Sequence, residues 1–316
     1  MQVIEGLPDK TEPSVLALGN FDGVHQGHRR LLAGGLAEAQ RQGVPLSVLV
    51  FYPHPWQVLF PERELKLLTT QQERLKIFAE VGVGIVYLLP FTRQLAGMTP
   101  EQFVRDIVLS LNVRHVMVGF NYSFGAKGMG TPADLSLFGD RYGFKVSVLQ
   151  AQAVKGKVIS SSAIRRALSA GDISLAREML GRSPCLCGKV VPGEQRGRHL
   201  GFPTANLLVP PGLMWPKRGV YAVQTVFTEK TVYGMMNIGM KPTFHAQYSP
   251  TVEVHFIDFE GDLYGRELSV NILERLRDER KFTDISELKE QLAQDAQRVR
   301  RWANGEKGAG SELRQS

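Results

Sequence analysis

The stretch SVLALGNFDGVHQGHRRLL, Ser14 to Leu32, decides how the first half of this chain folds. It opens on a short apolar run and closes in a segment, His28 to Gln42, that carries Leu32, Leu36 and Ala39 on one helical face. Between them Gly19 to His28 reads as a strand-to-helix turn. Gly19, Gly23 and Gly27 let the backbone turn tightly and approach a ligand. The helix start behind it offers unpaired N–H groups and the positive end of a dipole, which together suit an anion. His25 and His28 are three residues apart and can share a face there. Imidazoles so placed can donate hydrogen bonds to phosphate oxygens as charge builds during transfer. A single histidine would read more simply as a surface or core residue. Two histidines and three glycines in a strand-to-helix context favour the anion site.

Outward from this stretch the pattern alternates. PLSVLVF, GIVYLL, HVMVGF and KVSVLQ read as further buried strands. Thr69 or Thr70 opens a helix, with Gln72 and Glu73 placed for a capping box. Thr99-Pro100 opens another that runs through Phe103, Ile107 and Leu111. Alternation of this kind predicts an α/β domain, a doubly wound parallel sheet with helices on both faces. Ligands in such folds sit beyond the carboxyl ends of the strands where strand order reverses, so functional residues should follow the first and fourth strands. After Gly181 the texture changes to β-rich runs between glycines and prolines: GVYAVQTVF, TVYGMMNIG, TVEVHFIDF and ELSVNIL. These predict a small antiparallel β-barrel or sandwich. A C-terminal helix, Ile285 to Trp302, carries Leu288, Leu292, Ala296 and Val299 and caps it. The expected divisions are residues 1–181, residues 182–303, and a disordered tail, 304–316.

The 316 residues are 43% hydrophobic and 22% charged, an ordinary globular balance that excludes a disordered chain. No apolar run approaches the roughly 20 residues of a membrane helix. MQVIEGLPDKTEP has no basic flank leading into an apolar segment, so no secretion signal is read. Cys185 and Cys187 have no second pair for zinc and cannot build a disulfide framework; small apolar packing suits them. A cytoplasmic protein is expected. The net charge of +7 attracts anions in general, whether RNA, nucleotides or phosphorylated metabolites. The densest basic clusters, Arg165-Arg166 and Arg298-Arg300-Arg301, read as solvated helix faces, and no RNA-binding motif is visible. Neither nucleic acid nor a membrane is an expected partner.

Other segments carry chemistry with less force. In ISSSAIRRAL, Ser160, Ser161 and Ser162 can cap the helix that follows, and Arg165 lies one turn in, within reach of a phosphate; capping alone explains the serines. FYPHPW fixes His54 between Pro53 and Pro55, which suits either a rigid turn or an oriented phosphate contact. GFNYSFGAKGMG puts Asn121 and a glycine-rich loop after the fourth strand. GKVVPGEQRGRHLGFPTANL, Gly188 to Leu207, is a glycine-rich loop followed by Thr204 and Asn206, whose hard oxygens suit Mg²⁺; a β-turn with solvated basic residues is the plain alternative. Glu253, between Val252 and Val254, either lines a site or sits on the polar face of a sheet. As a general base it could accept the proton of a hydroxyl attacking a γ-phosphate. Arg277, Glu279 and Arg280 in LRDERKF read as surface charges.

Taken together these motifs carry a resemblance. GNFDGVHQGH resembles the HxGH signature of the nucleotidyltransferase superfamily, which is similar to class I tRNA synthetases. GRHLGFPTANL, GVYAV, NIGMKPTF, VEVHFIDF and LRDERKF resemble riboflavin kinase at five points in order. Apart from the tail, the chain is similar to the prokaryotic bifunctional riboflavin kinase/FMN adenylyltransferase family, the FAD synthetases. That resemblance implies a nucleotidyltransferase-like sheet followed by a riboflavin-kinase-like barrel. It implies phosphorylation of riboflavin to FMN in the second domain and adenylylation of FMN to FAD in the first, with ATP as co-substrate in both steps, Mg²⁺ as cofactor, and flavins as substrate and product. By it His25, His28 and Glu253 are catalytic. Gly19, Asn20, Phe21, Gly27, Ser160, Ser161, Ser162, Arg165, Gly188, Lys189, Gly201, Pro203 and Asn206 hold nucleotide. Pro53, His54, Pro55, Asn121, Arg277 and Glu279 meet the flavin, and Thr204 and Asn206 the metal. Two positions depart from the pattern: Ser162, where many members have Thr, and Ser123, where many relatives carry Arg. The second departure raises a competing expectation, a kinase whose first domain no longer adenylylates.

Overall fold

The computed structural model describes residues 1–193, 201–227, 229–242 and 248–305. Packing divides the chain into two compact units, Met1–Ala163 and Ile164–Ser316. The expected division lay at Gly181.

The first unit contains strands β1 (Gln2–Glu5), β2 (Ser14–Leu18), β3 (Leu46–Tyr52), β4 (Ile85–Pro90), β5 (Val113–Gly119) and β6 (Lys145–Leu149), with helices α1 (Gln26–Gln42), α2 (Pro55–Leu59), α3 (Gln71–Val81), α4 (Arg93–Ala96), α5 (Pro100–Phe103) and α6 (Pro132–Tyr142). The six strands form one parallel sheet in the order β1-β4-β3-β2-β5-β6. β2 is wholly buried because both faces of the sheet are covered. Val15 and Ala17 face α1 and α3 with Leu32 and Phe78, while Leu16 and Leu18 pack with Phe103, Ile107 and Leu111 on the other side. From β2 the chain moves outward through β3 and β4, then returns to place β5 on the other flank of β2. The order therefore reverses between β2 and β5, after which the two glycine-rich turns follow. Thr70, not Thr69, caps α3, with Glu73 completing the capping box. The helix after Thr99 starts as expected, then loosens into a π turn at Val104–Val108 and a 3₁₀ turn at Leu109–Leu111. A small hairpin, β7 (Ala153–Val154) and β8 (Lys157–Val158), leads to α7 (Ser161–Ala170).

In the second unit, α8 (Ile173–Leu180) precedes β9 (Cys185–Val191), β10 (Ala205–Leu208), β11 (Gly219–Phe227), β12 (Lys230–Pro242), β13 (Tyr248–Phe256) and β14 (Glu267–Arg277). These strands close a barrel in the order β10-β13-β12-β11-β14-β9, every pair antiparallel. Of the two expected alternatives, the barrel is the one formed. Both alternating sets of β11 are buried, Tyr221 and Val223 on one face and Val220 and Ala222 on the other. The second set lies under the C-terminal helix, Ile285–Ala303, with Met235, Ala296 and Val299. That helix covers the wall of the barrel instead of plugging an end. Of the expected tail, residues 306–316 lie outside the described residues, as does 194–200 of the glycine-rich loop.

Candidate active sites

In the first unit the sequence folds the GNFDGVHQGH turn into a strained, closely held loop. Phe21 (φ 51°) and Val24 (φ 36°) both adopt the left-handed region, which is costly for non-glycine residues and worst for a β-branched one. Such outliers cost on the order of 1–3 kcal/mol each and persist only where the surroundings enforce them. Here the surroundings are the segment around the start of α3. Leu68 N donates to Asp22 Oδ1 (2.8 Å), Gly23 N donates to Thr69 Oγ1 (3.1 Å), and Arg74 Nη1 donates to the Asn20 carbonyl (3.1 Å). From the start of α7, Ser161 Oγ donates to the Asp22 carbonyl (2.9 Å).

His25 is the N-cap of α1, its Nδ1 accepting from His28 N (3.3 Å). That bond puts the ring's own proton on Nε2. The two imidazoles stack, with centroids 3.6 Å apart and planes 12° from parallel. Gly27 suits the position beneath them, since a Cβ would lie 3.2 Å from the His25 ring and press on it. Burial, and then the neighbouring His25 and Arg74, hold His28 well below the ordinary imidazole value. Its Nδ1 is buried with no hydrogen-bond partner among the described residues. The arrangement is a neutral, stacked donor pair at a helix N-terminus, at the point where strand order reverses. Gly19 and Phe21 back it, the Phe21 ring lying 5.1 Å from that of His28.

The remaining predicted residues of this unit fall nearby in the chain's topology or take plain structural roles. Ser160 Oγ accepts from Ala163 N (3.2 Å), the geometry of a helix cap. Ser162 is exposed. His54 caps α2, its Nδ1 accepting from Trp56 N (3.2 Å), between Pro53 and Pro55. Asn121 and Ser123 are exposed on the loop that follows β5. Arg165 falls in the other compact unit.

In the second unit, register builds the site. Glu253 of β13 lies opposite Asn206 of β10 on one side and Asn237 of β12 on the other. Val252 and Val254 are buried, so alternation turns Glu253 to the opposite face with the two amides. Beside them Gly239 leaves room for the Glu279 carboxylate, since a Cβ there would collide with Glu279 Oε1 and come within 3.1 Å of Asn237 Nδ2. Likewise a Cβ on Gly193 would run into the Asn206 amide. Thr204 precedes β10, and the Pro203 carbonyl next to it accepts from His255 Nδ1 (2.8 Å). Asn206 and Glu253, opposite one another, offer hard oxygen donors of the kind Mg²⁺ takes, and Thr204 carries another, two residues before Asn206. An open cavity of about 760 Å³ is lined by Gly201, Phe202, Pro203, His255, Phe259 and Arg300 among others. Burial depresses His255 here.

Gly188 has a packing explanation, since a Cβ would lie 2.8 Å from the Leu208 carbonyl of the paired strand; its neighbour Lys189 is exposed. Arg277 spends its guanidinium on Asp295 of the C-terminal helix (2.8 and 2.9 Å). Arg298 and Arg300, expected as a solvated face, bridge to Glu274 (3.2 Å) and Asp258 (2.9 Å). Sequence reasoning missed Asp22, Thr69 and Arg74 as supports of the first site, and Asn237, Gly239 and the cavity in the second. Asn237 carried a signal: like Glu253, it is a polar residue between apolar strand positions.

An α/β half with paired imidazoles at its switch point, joined to a closed barrel with an amide-flanked carboxylate, defines a nucleotidyltransferase coupled to a phosphotransferase. The family model described as FAD synthetase matches residues 7–163, and that described as riboflavin kinase matches 180–303. Relatives named bifunctional riboflavin kinase/FMN adenylyltransferase include those of Bacillus subtilis (36% identical, covering 94% of this chain and 94% of the relative) and Escherichia coli K12 (37%, covering 93% and 96%). A crystal structure described as a macrolide-efflux protein from Streptococcus pneumoniae superposes with a TM-score of 0.88 at 30% identity, covering 96% of this chain and all of that one. The chain belongs to the bifunctional riboflavin kinase/FMN adenylyltransferase family. It phosphorylates riboflavin to FMN with ATP in its C-terminal domain and adenylylates FMN with ATP to give FAD and pyrophosphate in its N-terminal domain. Among the described residues no helix is long and apolar enough to cross a membrane.

Proposed function

We propose that the two activities are carried by the residues just described, with the stacked His25–His28 pair as the observation on which the first assignment stands. An FMN phosphate oxygen attacks the α-phosphorus of ATP, and the bond to the β-phosphate breaks to release pyrophosphate. The acceptor is already an anion, so no strong base is needed. The residues supply donors: the imidazoles at the positive end of the α1 dipole meet the phosphates, with Gly19, Asn20, Phe21 and Gly27 shaping the approach. Ser160, Ser161, Ser162 and Arg165 contribute a second nucleotide contact, and Pro53, His54, Pro55 and Asn121 meet the flavin.

In the barrel, Glu253 takes the proton of the ribityl 5′-hydroxyl as that oxygen attacks the γ-phosphorus of ATP and ADP leaves. Its support is its place between Asn206 and Asn237 in the strand register. Thr204 and Asn206 would hold Mg²⁺, which when bound neutralises charge on the transferring phosphates. Gly188, Lys189, Gly201 and Pro203 flank the nucleotide, and Arg277 and Glu279 the flavin. Domain bounds of 1–181 and 182–303 are part of this reading. A cytoplasmic setting suits an ATP-consuming enzyme in which Cys185 and Cys187 form no disulfide.

The test is a pair of variants whose products are separated by chromatography. Glu253→Gln loses FMN formation by about 10²-fold or more, the scale of a general base, and keeps FMN-to-FAD conversion. His28→Ala does the reverse. Normal kinase turnover in the first variant removes Glu253 as base, and unchanged FAD synthesis in the second removes the role given to the histidine pair.

A further inference from the structure

Arg74 lies in the first full turn of α3, a position where one step of rotation would leave it in water, yet only 9% of it is exposed. Taking a guanidinium out of water is expensive unless its surroundings repay it. Its surroundings are the strained turn. Nη1 donates to the Asn20 carbonyl, on the peptide that leads into Phe21 with its positive φ. Asp22 lies close enough to offset part of the cost of burying the cation. Two further supports from the same segment, Leu68 N and Thr69 Oγ1, reach Asp22 and Gly23, so three anchors from one strap hold four consecutive residues, Asn20 to Gly23. Of the three, only Arg74 brings a charge.

We propose that Arg74 is a positioning residue for adenylyl transfer: a buried, non-titrating cation that fixes the Asn20–Val24 turn and keeps the neighbouring imidazole pair in its neutral, donating form. This rests on reading that pair as the group that meets the phosphates. The groups bearing on His28 are His25, stacked on it from the turn; Arg74, from α3; Asp22, on the turn beside Arg74; and the Phe21 ring. From α7, Ser161 brings a neutral hydroxyl to this turn. Burial and the Arg74 cation both act against a proton on His28, and any proton taken up by His25 would act the same way. The site then draws steady positive potential from a group that does not titrate near neutrality, while the imidazoles remain donors.

Three variants separate charge from hydrogen bonding: Arg74→Lys keeps the charge, Arg74→Gln keeps a donor for the Asn20 carbonyl without charge, and Arg74→Met keeps neither. Each is assayed in one preparation for FMN-to-FAD and riboflavin-to-FMN conversion, with kcat/KM for the first followed against pH. Arg74→Met lowers kcat/KM for adenylylation at least tenfold and leaves kinase turnover within about twofold. In both Arg74→Gln and Arg74→Met the acid limb of the profile moves up toward the ordinary imidazole value of about 6.5. In Arg74→Lys the limb stays where it is in the wild type. Should Arg74→Met fail to fold, Arg74→Gln carries the same test. An acid limb unmoved in the neutral variants overturns the proposal even if activity falls, and so does a limb that moves equally in Arg74→Lys, because water reaching a loosened His28 raises it without any change of charge. His28→Ala with full FAD synthesis strikes the underlying reading instead, so the two failures are told apart.

Discussion

At the scale of single residues, the first site is built from groups that each satisfy a local backbone demand as well as a chemical one. His25 caps a helix, Ser161 ties the turn, and Gly27 leaves the His25 ring room that a Cβ would crowd. The histidines were legible because two of them, spaced by three, sat in a glycine-rich turn. Arg74 was not, since an arginine in an amphipathic helix looks like any solvated cation until the fold shows which way it turns. The depressed His28 carries a stability consequence. Its folded value lies below its unfolded value of about 6.5, so as pH falls the unfolded chain takes up the proton first. Stability is therefore lost as pH drops below about 6.5, and the loss ends only at the depressed folded value. The slope approaches about 1.4 kcal/mol per pH unit for one proton. His255 has the same sign in the barrel, so the informative quantity is the difference between proteins. Denaturant unfolding at pH 7.5 and 5.5 should show a smaller pH penalty for His28→Asn than for the wild type. Equal penalties would mean that His28 binds its proton as readily folded as unfolded.

At the scale of elements, alternation of apolar runs made β2 to β6 readable, and the reversal between β2 and β5 followed. β1 escaped notice because QVIE is a short edge strand, mostly exposed, with only two apolar side chains. β9 and β10 escaped because CLCGKVV contains a glycine and ANLL spans four residues. That glycine is where the strands crowd: Gly188 meets the Leu208 carbonyl. The C-terminal helix was read by its apolar stripe, but the stripe says nothing of what pins it. Asp295, 1% exposed, holds Arg277 at the end of β14 and accepts from Gln291 (3.0 Å). Removing the carboxylate leaves a partly buried Arg277 guanidinium with only the Asp278 carbonyl as partner, a loss of about 1–3 kcal/mol. Asp295→Ala should lower the unfolding free energy of the barrel by that amount in chemical denaturation. A change under about 0.5 kcal/mol would show that Arg277 reaches water without the pair, returning it to the exposed role that LRDERKF suggested from sequence.

At the scale of the whole molecule, the two halves share a fuel and an intermediate. Each unit has its own hydrophobic core, and the two catalytic groups, the His25–His28 pair and Glu253, lie in different units. The net charge of +7 favours approach of ATP and FMN without choosing a site, which is why composition alone left RNA, nucleotides and phosphorylated metabolites equally open. FMN leaves the barrel as a small, soluble anion, and the α/β half needs nothing from the barrel but that anion. Two proteins each disabled in one half should therefore complement each other in a mixture. Glu253→Gln retains the adenylylating half and His28→Ala retains the kinase. Supplied together with riboflavin, ATP and Mg²⁺, they should form FAD after a lag in which free FMN accumulates, and the lag should shorten as Glu253→Gln protein is added. Either variant alone should stop, the first at riboflavin and the second at FMN. If the mixture accumulates FMN without FAD, while Glu253→Gln still converts added FMN, then FMN released by the kinase is not reaching the second site through solution, and the independence of the two halves fails.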